Sequence, residues 1–253
     1  GLAALPMSTG LPDAIAISGA LPVFLAASHR IARGQTPIVP DSTLETATDL
    51  LRMLTGELPP ADHAAALNRY LVTILDHGLN ASTFTARVIG STQANLKQAV
   101  LGAMGALSGP LHGGAPGPVL DMIDAIGSPE NAAAWIGEAL ARKERLMGFG
   151  HRIYRTRDPR ADVLKAGLRL LGPENPKVRL AEEIEQAALA ALKTAKPDRP
   201  LETNVEFYTA VLLDAIGIDR TLFTPLFAVG RTPGWCAHVL EQQETGKLIR
   251  PAS

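Results

Sequence analysis

The chain has 253 residues, enough for one large domain or two smaller ones, with a core that folds without staples. Its 24 lysines and arginines against 25 aspartates and glutamates leave a formal net charge of -1, so no overall field recruits nucleic acid or an acidic membrane. The single cysteine, Cys236, excludes an internal disulfide framework and suits a reducing compartment; no leader and no uncharged apolar run of bilayer length is expected.

The predicted elements are helical almost throughout. Segment 42–54 opens at Ser42 with Glu45 three residues on, a capping-box arrangement. Segment 64–76 is amphipathic and stops at Gly78. Segment 92–107 starts behind Ser91 and ends at Gly109-Pro110. Segment 129–142 follows. In 178–192, Val178, Ala181, Ile184, Ala188 and Leu192 recur every three or four residues, with Glu182, Glu183 and Glu185 between them. Segments 204–216 and 231–243 complete the set. No apolar/polar alternation runs over six residues, so sheet is expected to be minor and the fold class all-α.

Gly and Pro mark the breaks at 109–118, 148–150, 172–176 and 197–200. Chemistry in a helical protein gathers where helices end, because loops present side chains and free backbone N–H groups. His112 is walled by glycines in Gly109-Pro110-Leu111-His112-Gly113-Gly114. A neutral imidazole there can donate a hydrogen bond to a carbonyl and stabilise an enolate; it can equally be a turn histidine capping a helix. Gly148-Phe149-Gly150-His151-Arg152 leads into Arg155, Arg157 and Arg160. Arginines grouped this way suit a ligand with more than one negative group, or a solvated basic surface balanced by Asp158. In Asn204-Val205-Glu206-Phe207-Tyr208, Glu206 is either a base with a raised pKa or a helix-N-terminal acid. His77, in Asp76–Thr83, is a ligand contact or a helix C-terminal histidine. No Cys/His cluster has zinc-ligand spacing, so no metal is expected.

Taken in order, these stretches resemble the citrate synthase family, which includes 2-methylcitrate synthases. The matching segments are DHGLNASTFTARV (76–88), GPLHGGA (109–115), GFGHRIYRTRDPRA (148–161), NVEFY (204–208), FAVGR (227–231), WCAHVLEQ (235–242) and LIRP (248–251). The resemblance implies a catalytic set of His112, His151 and Glu206. In it, His112 steadies the enolate of acetyl-CoA, Glu206 removes the methyl proton, and His151 polarises and protonates the oxaloacetate ketone. It further implies that His77, His151, Arg160, Arg231 and Arg250 bind oxaloacetate, with Arg250 supplied by the other subunit of a homodimer. Gly148, Phe149, Gly150, Arg155 and Asn204 would face coenzyme A. Acetyl-CoA is then a co-substrate, with no permanently bound cofactor. Where the family usually carries aspartate, this chain has Glu206, one methylene longer.

The same resemblance implies two domains, a large one from 1–112 and 217–253 and a small one from 113–216, hinged near His112–Gly114 and Gly217. The family's N-terminal helical block is expected to be missing, and a cytoplasmic, prokaryotic setting is expected. Two other activities stay open beside citrate synthesis: 2-methylcitrate synthesis from propionyl-CoA, and citryl-CoA cleavage. A non-catalytic binder of CoA or dicarboxylates is the reading from a different class.

Overall fold

A computed structural model of the chain describes residues 5, 10–109, 112, 116–150, 157–172, 175–198 and 201–251. His151, Arg152 and Arg155 lie outside the described residues. The described helices are α1 (Leu11–Ala32), α2 (Thr46–Thr55), α3 (Ala61–Ile74), α4 (Ala81–Ser91), α5 (Leu96–Leu107), α6 (Pro116–Ile126), α7 (Ala132–Ala141), α8 (Pro159–Leu168), α9 (Pro176–Ala195), α10 (Val205–Ala215) and α11 (Phe223–Thr245). Among the described residues there is no strand, only an isolated antiparallel bridge between Phe149 and Thr203. The all-α expectation therefore holds.

The backbone forms two compact units. The first comprises Gly1–Ala64, Ile74–Gly113 and Thr224–Ser253; the second comprises Ala65–Thr73 and Gly114–Phe223. In the first, α1 packs on α2 and α5, and α4 packs on α5. The α4–α5 contact is close at Gly102, where an added Cβ would fall 2.2 Å from the Ile89 Cδ1. Ile17, Leu50, Val100, Ala103 and Trp235 form part of this core. In the second, α10 packs on α6, α8 and α9, and α7 packs on α9. Its buried residues include Ile136, Leu164, Ile184, Phe207 and Leu212.

Several sequence expectations are corrected. Helix α1 is not among the expected segments; its residues are so predominantly apolar that no polar stripe marks one face. It is also the one described helix long and apolar enough to cross a membrane by length and composition; Asp13 and Arg30 confine its uncharged stretch to 14–29, short of the roughly 20 residues a span needs. In the fold it buries Asp13, Ala14, Ile17, Leu21 and Ala26. Helix α2 begins at Thr46, and the capping box does not form: Glu45 is the N-cap with no side-chain hydrogen bond. Instead Asp41 accepts from the Thr43 N–H and hydroxyl, turning the chain before the helix. Ser91 ends α4 and does not begin the next helix, because Gln93 turns into the left-handed region (φ 66°) and Asn95 caps α5 by accepting from the Gln98 N–H. Pro116 begins α6, where the 109–118 cluster read as a break; proline tolerates a first helical turn that lacks its N–H. Helix α8 was unmarked by periodicity, yet Asp158-Pro159 is a strong start: Asp158 accepts from the Arg160 N–H and Pro159 sits at the first position.

Candidate active site

In the first unit, two strings of side chains converge on the segments flagged by sequence. His112 lies against the N-terminus of α4: its Nε2 is 3.3 Å from the Ser82 N–H nitrogen and 2.8 Å from Ser82 Oγ. A backbone N–H can only donate, so Nε2 is the acceptor and the ring proton of neutral His112 sits on Nδ1. Ser82 is itself fixed, accepting from Trp235 Nε1 at 3.1 Å and lying 2.8 Å from Asn80 Oδ1. Burial, and then the Arg231 guanidinium, push the His112 pKa below the ordinary histidine value, with a hydrogen bond to its own backbone working the other way. The imidazole is thus neutral at pH 7, with Nδ1–H as its donor.

The loop after α3, which carries His77, is pinned to α11. Arg231, 1% exposed, donates from Nε to the Ile74 carbonyl at 2.6 Å and lies over the Phe227 ring at 4.9 Å. Gly234 lets the helix touch that loop, since an added Cβ would lie 2.1 Å from the Leu75 carbonyl oxygen. His238 Nε2 is 3.0 Å from Asp76 Oδ1, and the Asp76 Oδ2 accepts from the Gly78 N–H. Burial would raise the Asp76 pKa, but the Gly78 N–H and His238 bring it below the usual value. Arg250 is exposed, next to Ile249, whose N–H donates to Ser91 Oγ.

In the second unit, the stretch 202–206 ties the 148–150 loop to Asp158 and to the start of α10. Gly150 N–H donates to the Glu202 carbonyl at 2.7 Å, Asn204 N–H to the Gly148 carbonyl at 2.9 Å, and Asn204 Nδ2 to the Gly150 carbonyl at 2.8 Å. Gly148 and Gly150 hold φ values of 84° and 82°, which favour glycine, and a Cβ on Gly148 would fall 2.7 Å from that of Phe207. Phe149 is buried and packs on Phe207, ring centroids 5.3 Å apart. Asn204 also caps α10, its Oδ1 accepting from the Glu206 N–H. This side chain, assigned to coenzyme A by resemblance, thus has a structural task as cap and loop clamp.

Glu206 is half-buried in the first turn of α10. Burial raises its pKa; the charges of Arg145 and Arg160 oppose this, and Asp158 adds to it. Arg160 is held by Asp158 through Nε at 3.0 Å and Nη2 at 2.8 Å, and the Val205 N–H donates to the same carboxylate at 3.1 Å. One buried acid therefore orients both Arg160 and the start of α10. Burial would raise the Asp158 pKa, but Arg160 and the Arg160 and Val205 amides hold it below the usual range. Its stabilising contribution is present above the unfolded carboxylate pKa and is lost as pH falls through the lower folded value. Asp158→Asn is expected to cost about 1.5–3 kcal/mol near neutral pH, the range for hydrogen bonds to a charged group. Denaturant midpoints at pH 7 and at pH 3 check this: the deficit should shrink at the lower pH.

Sequence reasoning missed Ser82 and Arg145 as site neighbours and treated Asp158 as charge balance. Only Asp158 carried a local signal, the Asp-Pro helix start.

Residues 7–252 match the family described as citrate synthase, C-terminal domain, and the chain belongs to that family. It is 42% identical over 241 residues to citrate synthase 2 of Bacillus subtilis, covering 94% of this chain and 63% of that protein. It is also 42% identical over 241 residues to a 2-methylcitrate synthase of Mycobacterium tuberculosis, covering 95% of this chain and 60% of the relative. The chain thus spans about three-fifths of the length of these curated relatives. Its fold matches the citrate synthase of Thermoplasma acidophilum, solved as a ternary complex with carboxymethyl coenzyme A and oxaloacetate, with a TM-score of 0.88 at 28% identity, covering all of this chain and 68% of the other.

Proposed function

We propose that the protein condenses acetyl-CoA with oxaloacetate and water to give citrate and free coenzyme A. The observation that carries this is His112, a neutral imidazole whose tautomer is fixed with Nδ1–H as donor. Such a donor suits a thioester carbonyl on which negative charge develops, and does so without giving up its proton. Glu206, with its pKa raised by burial, serves as the base that takes a methyl proton. The enolate carbon then attacks the ketone carbon of oxaloacetate, and His151 delivers a proton to the ketone oxygen. Water finally cleaves the thioester, releasing coenzyme A and making the sequence favourable.

In this proposal Arg160, Arg231 and His77 bind the two carboxylates and the ketone of oxaloacetate. Arg250 reaches the same site across a homodimer interface. Gly148, Phe149, Gly150 and Arg155 serve the coenzyme, with Asn204 holding that loop in shape. A cytoplasmic setting is part of the same proposal and rests on the single cysteine. Burial drives the pKa of its thiol up to about 12, which leaves Cys236 protonated and unreactive.

The test is thiol release by the full-length protein from acetyl-CoA and, separately, propionyl-CoA, each with and without oxaloacetate. Oxaloacetate-dependent release with acetyl-CoA, and citrate as the product, is expected. The two acyl groups differ by one methylene, worth about 1–3 kcal/mol in an apolar pocket, so some propionyl turnover is compatible. Release with propionyl-CoA alone would make the enzyme a 2-methylcitrate synthase; no release with either would leave a binding protein.

A further inference from the structure

We propose that Glu185 is a positioning residue for this reaction, fixing from the middle of α9 the 202–206 stretch on which Asn204 and Glu206 stand. The inference rests on the condensation proposed above and adds a residue that touches neither substrate.

Glu185 shares the buried face of α9 with Val178, Ala181, Ile184, Ala188 and Leu192, and is only 3% exposed. Four donors from separate segments saturate its carboxylate. Thr203 Oγ1 at 2.7 Å and Arg157 Nη2 at 2.9 Å reach Oε1; Tyr208 OH at 2.6 Å and Lys165 Nζ at 2.8 Å reach Oε2. Stability alone does not call for this arrangement, since a buried ion pair is often no better than apolar residues of the same volume. What it provides is placement. Thr203 and Tyr208 flank Asn204 and Glu206 in the chain, and both hang on the same carboxylate. The Thr203 backbone bridges to Phe149, and its carbonyl accepts from the Asp158 N–H. Residues on both sides of 151–156, the segment that contains His151 and Arg155, are therefore hydrogen-bonded to the stretch Glu185 holds. Burial would raise the Glu185 pKa, but Lys165, Tyr208, Thr203 and Arg157 bring it below the usual value, so all four bonds are made to a carboxylate.

Glutamine at this position keeps the shape, but its NH2 faces two donors whichever way the amide turns. Displacement of a reacting group by about 1 Å costs on the order of a hundredfold in rate. In the full-length protein, Glu185→Gln is expected to lower kcat about 10–100-fold with KM for both substrates within about threefold. The kinetic isotope effect with methyl-deuterated acetyl-CoA should rise, because proton removal becomes slower. Hydrogen exchange should quicken in 201–208 and stay unchanged in α7. Glu185→Leu is the second variant: it removes the charge and fills the volume, while Lys165 and Arg157, both partly exposed, can turn to water. It should fold and show the same kinetic loss. Glu183→Gln, exposed on the same helix, is the control and should match wild type. Wild-type kcat and isotope effect in a folded Glu185 variant would overturn the proposal, as would a loss confined to KM or failure of both variants to fold. A wild-type protein without condensation activity would instead sink the functional proposal, while hydrogen exchange would still decide whether Glu185 holds 201–208.

Discussion

Glu206→Gln is expected to lower kcat about 10²–10⁴-fold, the usual contribution of a positioned general base. The amide keeps the size of the side chain and the cap on α10, because Asn204 bonds the backbone N–H of residue 206 and not its side chain. The pH profile gives a second, independent sign. Glu206 must be ionised to accept the methyl proton, and burial raises its pKa, so wild-type kcat should climb as pH rises through that raised value. Stability runs the other way. A carboxyl whose folded pKa exceeds its unfolded one contributes stability below the unfolded pKa and loses it as pH rises through the folded value. Above that value the variant should therefore melt no lower than wild type. Loss of activity together with a lower melting temperature would instead mark Glu206 as a structural acid. Glu206→Asp separates reach from charge: the shorter side chain should restore part of the activity only if the stretch 202–206 can shift.

The second large effect falls on stability. Gly234→Ala in the interior of a helix would ordinarily help by about 1 kcal/mol. Here the new Cβ would stand 2.1 Å from the Leu75 carbonyl oxygen, which is backbone and cannot rotate away. Overpacking of this kind costs about 1–3 kcal/mol, occasionally more, so the sign should reverse. Net of the helix gain of about 1 kcal/mol, a melting temperature lower by up to about 8 °C follows, at roughly 2–4 °C per kcal/mol for a chain of this size. Pushing α11 off Leu75 also disturbs the Arg231 bond to the Ile74 carbonyl and the approach to His77. KM for oxaloacetate should accordingly rise more than KM for acetyl-CoA. A melting temperature above wild type would show that the loop gives way without cost.

What was legible in the sequence follows a physical division. Helix α9 was readable because its apolar residues recur at helical spacing between charged ones. Helix α1 was not, since alanine, glycine and isoleucine offer no polar contrast from which to read a face. The junction between α4 and α5 was hidden for a different reason: its turn is made by Gln93 and not by glycine or proline, and the stop is visible only as a positive φ. At the site, glycine and aromatic neighbours marked His112 and Glu206 only as candidates, and the family resemblance supplied their roles. Ser82 and Glu185 carried no such mark. Ser82 gains its importance from Trp235 and His112, distant in sequence, and Glu185 passes for a solvent-facing acid until Thr203 and Tyr208 close over it. Buried polar hubs are tertiary facts, and helical periodicity is silent about them.

The central claim is that His112 and Glu206 turn the methyl group of a thioester into a nucleophile. Tritium release from methyl-labelled acetyl-CoA, followed beside thiol release with oxaloacetate present, tests it most directly. Wild type should release both, in constant proportion, and Glu206→Gln should lose both together. Thiol release without tritium would mean simple thioester hydrolysis and would contradict the claim.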